Sequence, residues 1–183
     1  MIKGKCCQAT GGYRRQMTED RALAALGDVA HTVLRHGPVR SLREAALARG
    51  VDPSDVVKTL VVRRGAGDYV FVLVPGDRTI SWPKLRALLA VSRMSLPDAA
   101  EALAATGYER GTITPFGATT AWPVVADAAL VGRQITLGAG AHGVAVLLQA
   151  DDALAALGAQ VADVTDPEPA SPPEPSEPPA SPP

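Results

Sequence analysis

Residues 52–64 read DPSDVVKTLVVRR, and residues 69–74 read YVFVLV. Both runs are rich in β-branched residues, and the RGAGD segment between them supplies glycines for a hairpin loop. They therefore predict two antiparallel strands, Val57 to Arg63 and Tyr69 to Val74. Each run has apolar side chains at consecutive positions, which is typical of a sheet covered on both faces. The pair predicts a central hairpin around which the rest of the chain folds.

Helical patterns lie on both sides of this hairpin. TEDRALAAL predicts a helix with Thr18 as its N-cap, and SLREAALARG reads as a capping box followed by a helix that ends at Gly50. Asp52-Pro53 restarts a single helical turn. Later helices are predicted at WPKLRALLA, at LPDAAEALAATG and at ADDALAALG, the last capped by Asp151 or Asp152.

Further strands are predicted at HTVLRH, WPVVAD, QITLG and VAVLLQ. Strands and helices interleave, but the antiparallel hairpin argues against a doubly wound parallel sheet. The pattern predicts an α/β (α+β) fold with a mixed, mainly antiparallel sheet flanked by helices.

Composition divides the chain into three parts. Residues 1–17 lack a clear pattern and predict a loose N-terminal arm, residues 18–165 form the predicted domain, and residues 166–183 are a proline-, serine- and glutamate-rich tail expected to be disordered. A PxxP ligand in the tail is the alternative to a solvated extension. The only cysteines, Cys6 and Cys7, are adjacent and build no disulfide framework.

Charge and hydropathy exclude two classes of protein. The net charge of −1 predicts no DNA binding, and any contact with a nucleic acid would be through a local patch. No run reaches the roughly 18 apolar residues that span a bilayer, and the N-terminus has no apolar signal core. The sequence predicts a cytoplasmic protein without membrane contact.

Two glycine-bearing segments are candidate ligand loops. GAGAHG, from Gly138 to Gly143, matches G-x-G-x-x-G, but a dinucleotide fingerprint must open a helix, and VAVLLQ predicts a strand. A tight loop between strands is the favoured interpretation. The second segment, GYERGTITPFG, has three glycines for exposed backbone amides and Pro115 for stiffness, so it is expected to line a site.

Lys58 is the single charged residue whose position asks for an explanation. The period of two places it on the strand face of Leu60 and Val62, while Thr59 faces the opposite side. A lysine that snorkels past the sheet edge is one interpretation. The other is an ammonium at the rim of a pocket that holds a phosphate or another polar substrate group.

The ordered segments DPSDVVKTLVV, VFVLVPGDRTI, ATGYERGTITPFG and TLGAGAHGVAVLL resemble the YbaK/EbsC family of aminoacyl-tRNA deacylases, which is related to the editing domain of prolyl-tRNA synthetases. The similarity runs from about Thr18 to Val164. It implies a curved, mainly antiparallel sheet with helices. It also implies metal-independent hydrolysis, with no cofactor, of the ester that joins a wrong amino acid to the tRNA 3′ acceptor end.

The resemblance also implies roles for individual residues. Lys58 of V-K-T-L matches the functional lysine that contacts the tRNA terminus, and Gly111 of G-x-x-x-P matches the loop whose backbone positions the aminoacyl group, so both are the expected catalytic residues. The expected substrate-binding residues lie around them: Thr59, Thr112, Ile113, Thr114, Pro115, Gly140, His142 and Gly143.

One departure bears on the substrate. Family members that remove cysteine from proline tRNA have an aspartate shortly after the late glycine, whereas Gly143 is followed here by Val144 and Ala145. The departure argues against cysteine as the amino acid removed, and it leaves small amino acids such as alanine or serine open.

Two functions follow as hypotheses. The first is a free-standing trans-editing hydrolase that acts on mischarged proline tRNA or a similar tRNA, with an aminoacyl-tRNA synthetase or an elongation factor as a partner that supplies tRNA selectivity. The alternative is a non-catalytic aminoacyl- or nucleotide-binding module whose tail recruits a partner. An open cavity with Lys58 at its mouth and free amides in the Gly111 loop would favour the enzyme.

Overall fold

The computed structural model describes residues 7–168. Within that range the helices are α1 (Cys7–Ala24), α2 (Leu42–Arg49), α3 (Trp82–Leu89), α4 (Ala99–Thr106) and α5 (Ala150–Ala156). The strands are β1 (His31–Arg35), β2 (Val57–Gly65), β3 (Asp68–Pro75), β4 (Arg78–Ile80), β5 (Val124–Asp127), β6 (Gln134–Gly138), β7 (Val144–Gln149), β8 (Gln160–Ala162) and β9 (Thr165–Pro167).

The predicted central hairpin is confirmed. Strands β2 and β3 pair antiparallel, with Lys58 opposite Val74 and Val61 opposite Phe71. Val57 and Val61 on one face of β2 belong to a different core from Val62 on the other. The apolar residues at consecutive positions therefore serve two cores, one on each face of the sheet.

The sheet is mixed and mainly antiparallel, as predicted. Strands follow the order β2-β3-β5-β8 in one sheet, where β3–β5 and β5–β8 are parallel, and β1-β7-β6 in an antiparallel second sheet. A parallel bridge between Val56 and Thr136 joins the two sheets at their edges. Both sheets contribute to the first core, so they curve around it, while α3 and the short β4–β9 pair cover the second core.

The helix caps confirm some of the sequence signals. Ser41 Oγ accepts a hydrogen bond from the Glu44 amide at the start of α2, and Gly50 ends the helix in the left-handed region. In the predicted capping box the glutamate would bond the amide of Ser41, but here Glu44 accepts from the amide of Arg40. Asp98 caps α4, and Gly107 ends it.

Two predicted caps are wrong. Thr18 lies inside α1, and its hydroxyl bonds back to the carbonyls of Arg14 and Arg15, as threonines within helices do. Strand β7 runs directly into α5, so the cap position falls on Gln149 and not on an aspartate. Asp151 instead accepts a hydrogen bond from the amide of Gly132.

Two predicted boundaries move outward. The expected loose arm, residues 1–17, includes the first eleven residues of α1, which begins at Cys7. The expected tail, residues 166–183, includes the end of β9, because Asp166 and Pro167 pair with β4. The remaining residues of the predicted arm and tail, 1–6 and 169–183, lie outside the described residues. The predicted PxxP ligand lies outside them too.

Candidate active site

A cavity of about 560 Å³ opens beside strand β2. Its walls come from α2 along its length and the segment before it, from the segment that leads into α4, and from two loops that carry glycines in the left-handed region. We call residues 107–117 the Gly111 loop and residues 139–143 the Gly140 loop. Both loops were candidate ligand loops in the sequence, and the fold brings them to one cavity.

Hydrogen bonds between its own residues stabilise the Gly111 loop. Gly111 has φ +89°, a conformation that favours glycine, and Thr112 bonds the carbonyl of Glu109 through both its amide, at 3.0 Å, and its hydroxyl, at 2.9 Å. The buried Tyr108 hydroxyl donates to the carbonyl of Phe116 at 2.8 Å. These bonds fix the loop although it belongs to neither a helix nor a strand.

The Gly140 loop is the turn of the β6–β7 hairpin. Strand β7 begins at Val144, where a dinucleotide fingerprint would require a helix, so the interpretation of GAGAHG as a strand-to-strand loop is confirmed. Gly140 has φ +78°, and a Cβ there would lie 2.5 Å from the carbonyl oxygen of Thr18. The glycine is thus required where the hairpin packs against α1.

Several backbone amides at this cavity are unused. The amides of Gly111, Ile113, Ala141, His142 and Gly143, all of which line it, have no acceptor among residues 7–168. Amides of this kind can stabilise an oxyanion that forms in the cavity. The amide of Gly140 does not belong to this set, because it donates to Thr112 O at 3.2 Å.

The predicted site residues divide between two places. Lys58, Thr59, Gly111, Ile113, His142 and Gly143 line the 560 Å³ cavity. Thr112 and Gly140 line a separate cavity of about 1140 Å³ between α1 and α4, which His142 also borders. Thr114 and Pro115 line neither cavity, and the buried Thr114 hydroxyl accepts from the amide of Phe116. The structure therefore does not bring together all the expected substrate-binding residues.

The ammonium of Lys58 is bound on the other side of the strand. It donates to the carbonyls of Gly76, at 3.0 Å, and of Arg78, and it lies 3.2 Å from Glu168 Oε2. None of these three acceptors lines the cavity. Lys58 thus shares the face of Leu60 and Val62, as predicted, and ties β2 to the turn between β3 and β4.

Thr59 faces the cavity side, together with Val57 and Val61. Its Oγ1 atom is buried and has no hydrogen-bond partner among the described residues. A buried hydroxyl without a partner costs free energy of folding, about 1–3 kcal/mol. Within residues 7–168, this hydroxyl is the unsatisfied polar group on the cavity side of β2.

We expect Thr59→Val to leave the free energy of unfolding unchanged or to raise it by about 1 kcal/mol, because valine removes only the unpaired hydroxyl. Urea unfolding followed by circular dichroism measures the change. The matched control is Thr165→Val, since the Thr165 hydroxyl donates to the buried Asp127 at 2.8 Å. The control should lose about 1–3 kcal/mol. A loss of that size in Thr59→Val would show that its hydroxyl has a structural partner.

Arg49 and His36 are among the residues of the cavity wall that sequence reasoning missed. Arg49 is partly buried, and that burial lowers the pKa of its guanidinium. Arginine in the last turn of a helix is so common at surfaces that the sequence offered no signal for this position. His36 directly follows β1.

The described residues contain neither a candidate metal site nor a helix that could span a membrane. No group of three histidine, cysteine, aspartate or glutamate side chains within residues 7–168 is placed to hold a metal ion. No helix in the same range has the length and the apolar composition needed to cross a membrane.

Residues 36–156, well over half of the chain, match the family model described as the aminoacyl-tRNA editing domain. The chain is 32% identical to the proline–tRNA ligase of Bacillus licheniformis over 52% of its own length and 17% of the ligase. It is 38% identical to the corresponding ligase of Desulfovibrio desulfuricans over 50% of its length and 16% of that enzyme. The chain thus spans only about a sixth of these relatives.

Solved structures share the fold. A crystal structure described as a candidate trans-editing enzyme for prolyl-tRNA synthetase superposes with a TM-score of 0.74 at 26% identity, covering 81% of this chain and 97% of the other. A second, described as hypothetical protein APE2540, gives a TM-score of 0.71 at 29% identity over 81% of this chain and 98% of its own. Both likenesses span nearly the whole of the other chain.

Proposed function

The chain belongs to the aminoacyl-tRNA editing domain family, and from that premise we propose that it is a free-standing trans-editing hydrolase. It would cleave the ester of a mischarged aminoacyl-tRNA, with proline tRNA or a similar tRNA as its substrate. The single observation that carries this proposal is the open cavity lined by both glycine loops with unused amides. The likeness to the candidate trans-editing enzyme supports a role in trans.

The cavity provides what ester hydrolysis needs. A water attacks the ester carbonyl, loses a proton and forms a tetrahedral oxyanion, whereas attack by the free hydroxyl of the terminal ribose would only move the aminoacyl group to that oxygen, from which water must still release it. The amides of Gly111, Ala141, His142 and Gly143 would stabilise that charge, which is greater in the transition state than in the ester. Attack by water and collapse of the intermediate break the bond to the ribose oxygen, which takes up a proton. The amino acid and the deacylated tRNA leave, and the step requires no metal.

The cavity also restricts the substrate. The Thr59 hydroxyl is the buried polar group without a partner on its strand wall, and Val57 and Val61 line the same wall. A serine hydroxyl would pair with the Thr59 hydroxyl, and the methyl group of alanine would pack against the two valines, whereas a larger apolar side chain would leave the hydroxyl unpaired. We therefore propose alanine or serine as the amino acid removed.

The position of the Lys58 ammonium favours a second candidate function. Its three acceptors lie outside the cavity, so Lys58 does not line the cavity mouth with a free charge in this conformation. A module that binds an aminoacyl or nucleotide ligand without hydrolysing it would need no such charge. For the hydrolase, we propose that Lys58 exchanges Glu168 for a tRNA phosphate when the substrate binds.

The experiment is deacylation of proline tRNA charged with alanine, serine, cysteine or proline, by wild type and Lys58→Ala in parallel. We expect release of alanine or serine by the wild type and a rate about 10- to 100-fold lower in the variant, as for loss of a charge-assisted contact. Lys84→Ala is the matched control, because Lys84 also bonds acidic residues, Asp163 and Asp166, but lies outside the cavity.

The outcomes separate the two candidate functions. Release of one amino acid that depends on Lys58 and not on Lys84 supports the hydrolase. Equal rates in wild type and Lys58→Ala would remove Lys58 from the mechanism. No release from any of the four substrates would favour the binding module. Addition of the cognate synthetase to the assay tests whether that enzyme supplies tRNA selectivity.

A further inference from the structure

The cavity is much more basic than the protein as a whole. Its lining includes three arginines, Arg40, Arg49 and Arg110, against one acidic residue, Asp98, in a chain with a net charge of −1, and the ammonium of Lys58, which also lines it, bonds acceptors outside it. Asp98 is moreover engaged as the N-cap of α4. A concave site lined by one sign of charge attracts ligands of the opposite sign.

Arg49 is the most constrained arginine in this lining, and among residues 7–168 its side chain has no acidic partner, as is also true of Arg40 and Arg110. Its Nε donates to His36 Nε2 at 3.3 Å, and its Nη1 donates to the buried Thr136 hydroxyl at 3.2 Å. Within residues 7–168, no carboxylate lies within 4.0 Å of its guanidinium. Partly buried arginines usually have an acidic partner, because burial without one disfavours the charge.

The two bonds also fix the direction of the guanidinium. The Nδ1 of His36 lies 2.7 Å from the carbonyl of Gly37, so it carries the ring proton, which leaves Nε2 as the acceptor for Arg49. A guanidinium has five N–H donors, and His36 and Thr136 use one each. The second N–H of Nη1 and both of Nη2 have no acceptor among residues 7–168, so they can bind an anion.

We propose that Arg49 is the phosphate anchor of this cavity and binds the phosphodiester on the 5′ side of the terminal adenosine. The inference rests on the proposed function, which brings a tRNA 3′ end to the cavity. A phosphodiester is the anion nearest to an aminoacyl ester on tRNA, and arginine recognises phosphate through paired N–H donors. His36 and Thr136 are positioning residues, since each acts through the guanidinium.

The test compares adenosine 5′-monophosphate with adenosine, so that the phosphate is the only difference between the two probes. We expect the wild type to bind the monophosphate about 10- to 100-fold more tightly in calorimetric titrations, as for charge-assisted hydrogen bonds. Arg49→Ala should abolish that ratio, and Arg49→Lys should restore only part of it. The matched control is Arg43→Ala, since Arg43 is an exposed residue of the same helix outside the cavity.

Each outcome decides for or against the anchor. A phosphate-dependent ratio that is lost in Arg49→Ala and kept in Arg43→Ala supports it. A ratio of one in the wild type, a ratio that survives in Arg49→Ala, or a loss that is equal in both variants overturns it. Inorganic phosphate is the third probe, and phosphate that binds as tightly as the monophosphate would identify a free-phosphate site and overturn the nucleotide assignment.

Stability separates an anchor from a structural arginine. Because Arg49 is desolvated without an acidic partner, we expect Arg49→Met to shift the melting temperature of the ligand-free protein by less than about 3 °C. A large fall would show that Arg49 holds the fold, and it would overturn the proposal.

The nucleotide titrations do not depend on hydrolysis. If no mischarged tRNA is cleaved but Arg49 controls the phosphate ratio, the hydrolase fails and the anchor stands. If tRNA is cleaved equally fast by Arg49→Ala, the hydrolase stands and the anchor fails.

Discussion

Gly76→Ala should lower the free energy of unfolding by about 3 kcal/mol or more, among the largest losses for a single methyl group in this fold. A Cβ at Gly76 would lie 2.0 Å from the carbonyl oxygen of Pro53, 2.8 Å from that of Val56 and 2.9 Å from a methyl of Leu42. Two of these three neighbours are backbone atoms, which cannot rotate away. The turn between β3 and β4 would have to separate from the entry to β2.

Thermal and urea unfolding of the variant measure this loss. For a protein of this size it corresponds to a fall in melting temperature of about 6–12 °C. Gly37→Ala is the control, since a Cβ at Gly37 meets no atom within 4 Å and should change stability little. If Gly76→Ala and Gly37→Ala unfold at the same temperature, the close approach at Gly76 does not exist in solution.

Gly143→Ala should slow the proposed deacylation by about 100-fold, because a shift of about 1 Å in groups that position a substrate can cost that much. Gly143 has φ +75°, and a Cβ there would lie 2.5 Å from the carbonyl oxygen of His36. The Gly140 loop would have to move away from His36, and with it the unused amides of Ala141 and His142. Single-turnover deacylation of alanyl-proline tRNA gives the rate.

Gly132→Ala is the control that separates the effect of backbone strain from the effect of the close contact. Gly132 has φ +73°, close to that of Gly143, but a Cβ there meets nothing within 4 Å. Both variants carry the cost of alanine in the left-handed region, about 1 kcal/mol, and only Gly143→Ala adds the contact with His36. A rate that falls equally in both variants, or in neither, would contradict a role for the close approach.

The sequence predicted the elements whose signals are local. The β-rich runs that form β2 and β3, with glycines between them, were confirmed. The Ser41 cap and the Gly50 end of α2 were confirmed too. Each of these signals depends on a few neighbouring residues. Strands β4, β8 and β9 were not predicted. Each has three residues and is defined by pairing with a strand far away in the chain, so no local pattern specifies it.

The sequence predicted the two loops of the site, but it did not predict where the charged side chains of the site lie. The two glycine segments were identified because left-handed turns require glycine. The period of two placed Lys58 and Thr59 on opposite faces, but it could not tell which face borders the cavity, because both faces of β2 are covered. Arg49 could be assigned to the site only from the folded structure, because its partner Thr136 in β6 lies 87 positions away in the chain. The role of each residue stays a prediction.

The hairpin of β2 and β3 contributes to both cores, with Val57 and Val61 on one side and Val62 on the other. The strand wall of the cavity therefore cannot deform without disturbing the packing on both faces of the sheet. This wall is therefore preorganised for a ligand. If the proposed hydrolysis holds, we expect this domain to select amino acids by their fit to a wall of fixed shape, and not by closing around each one.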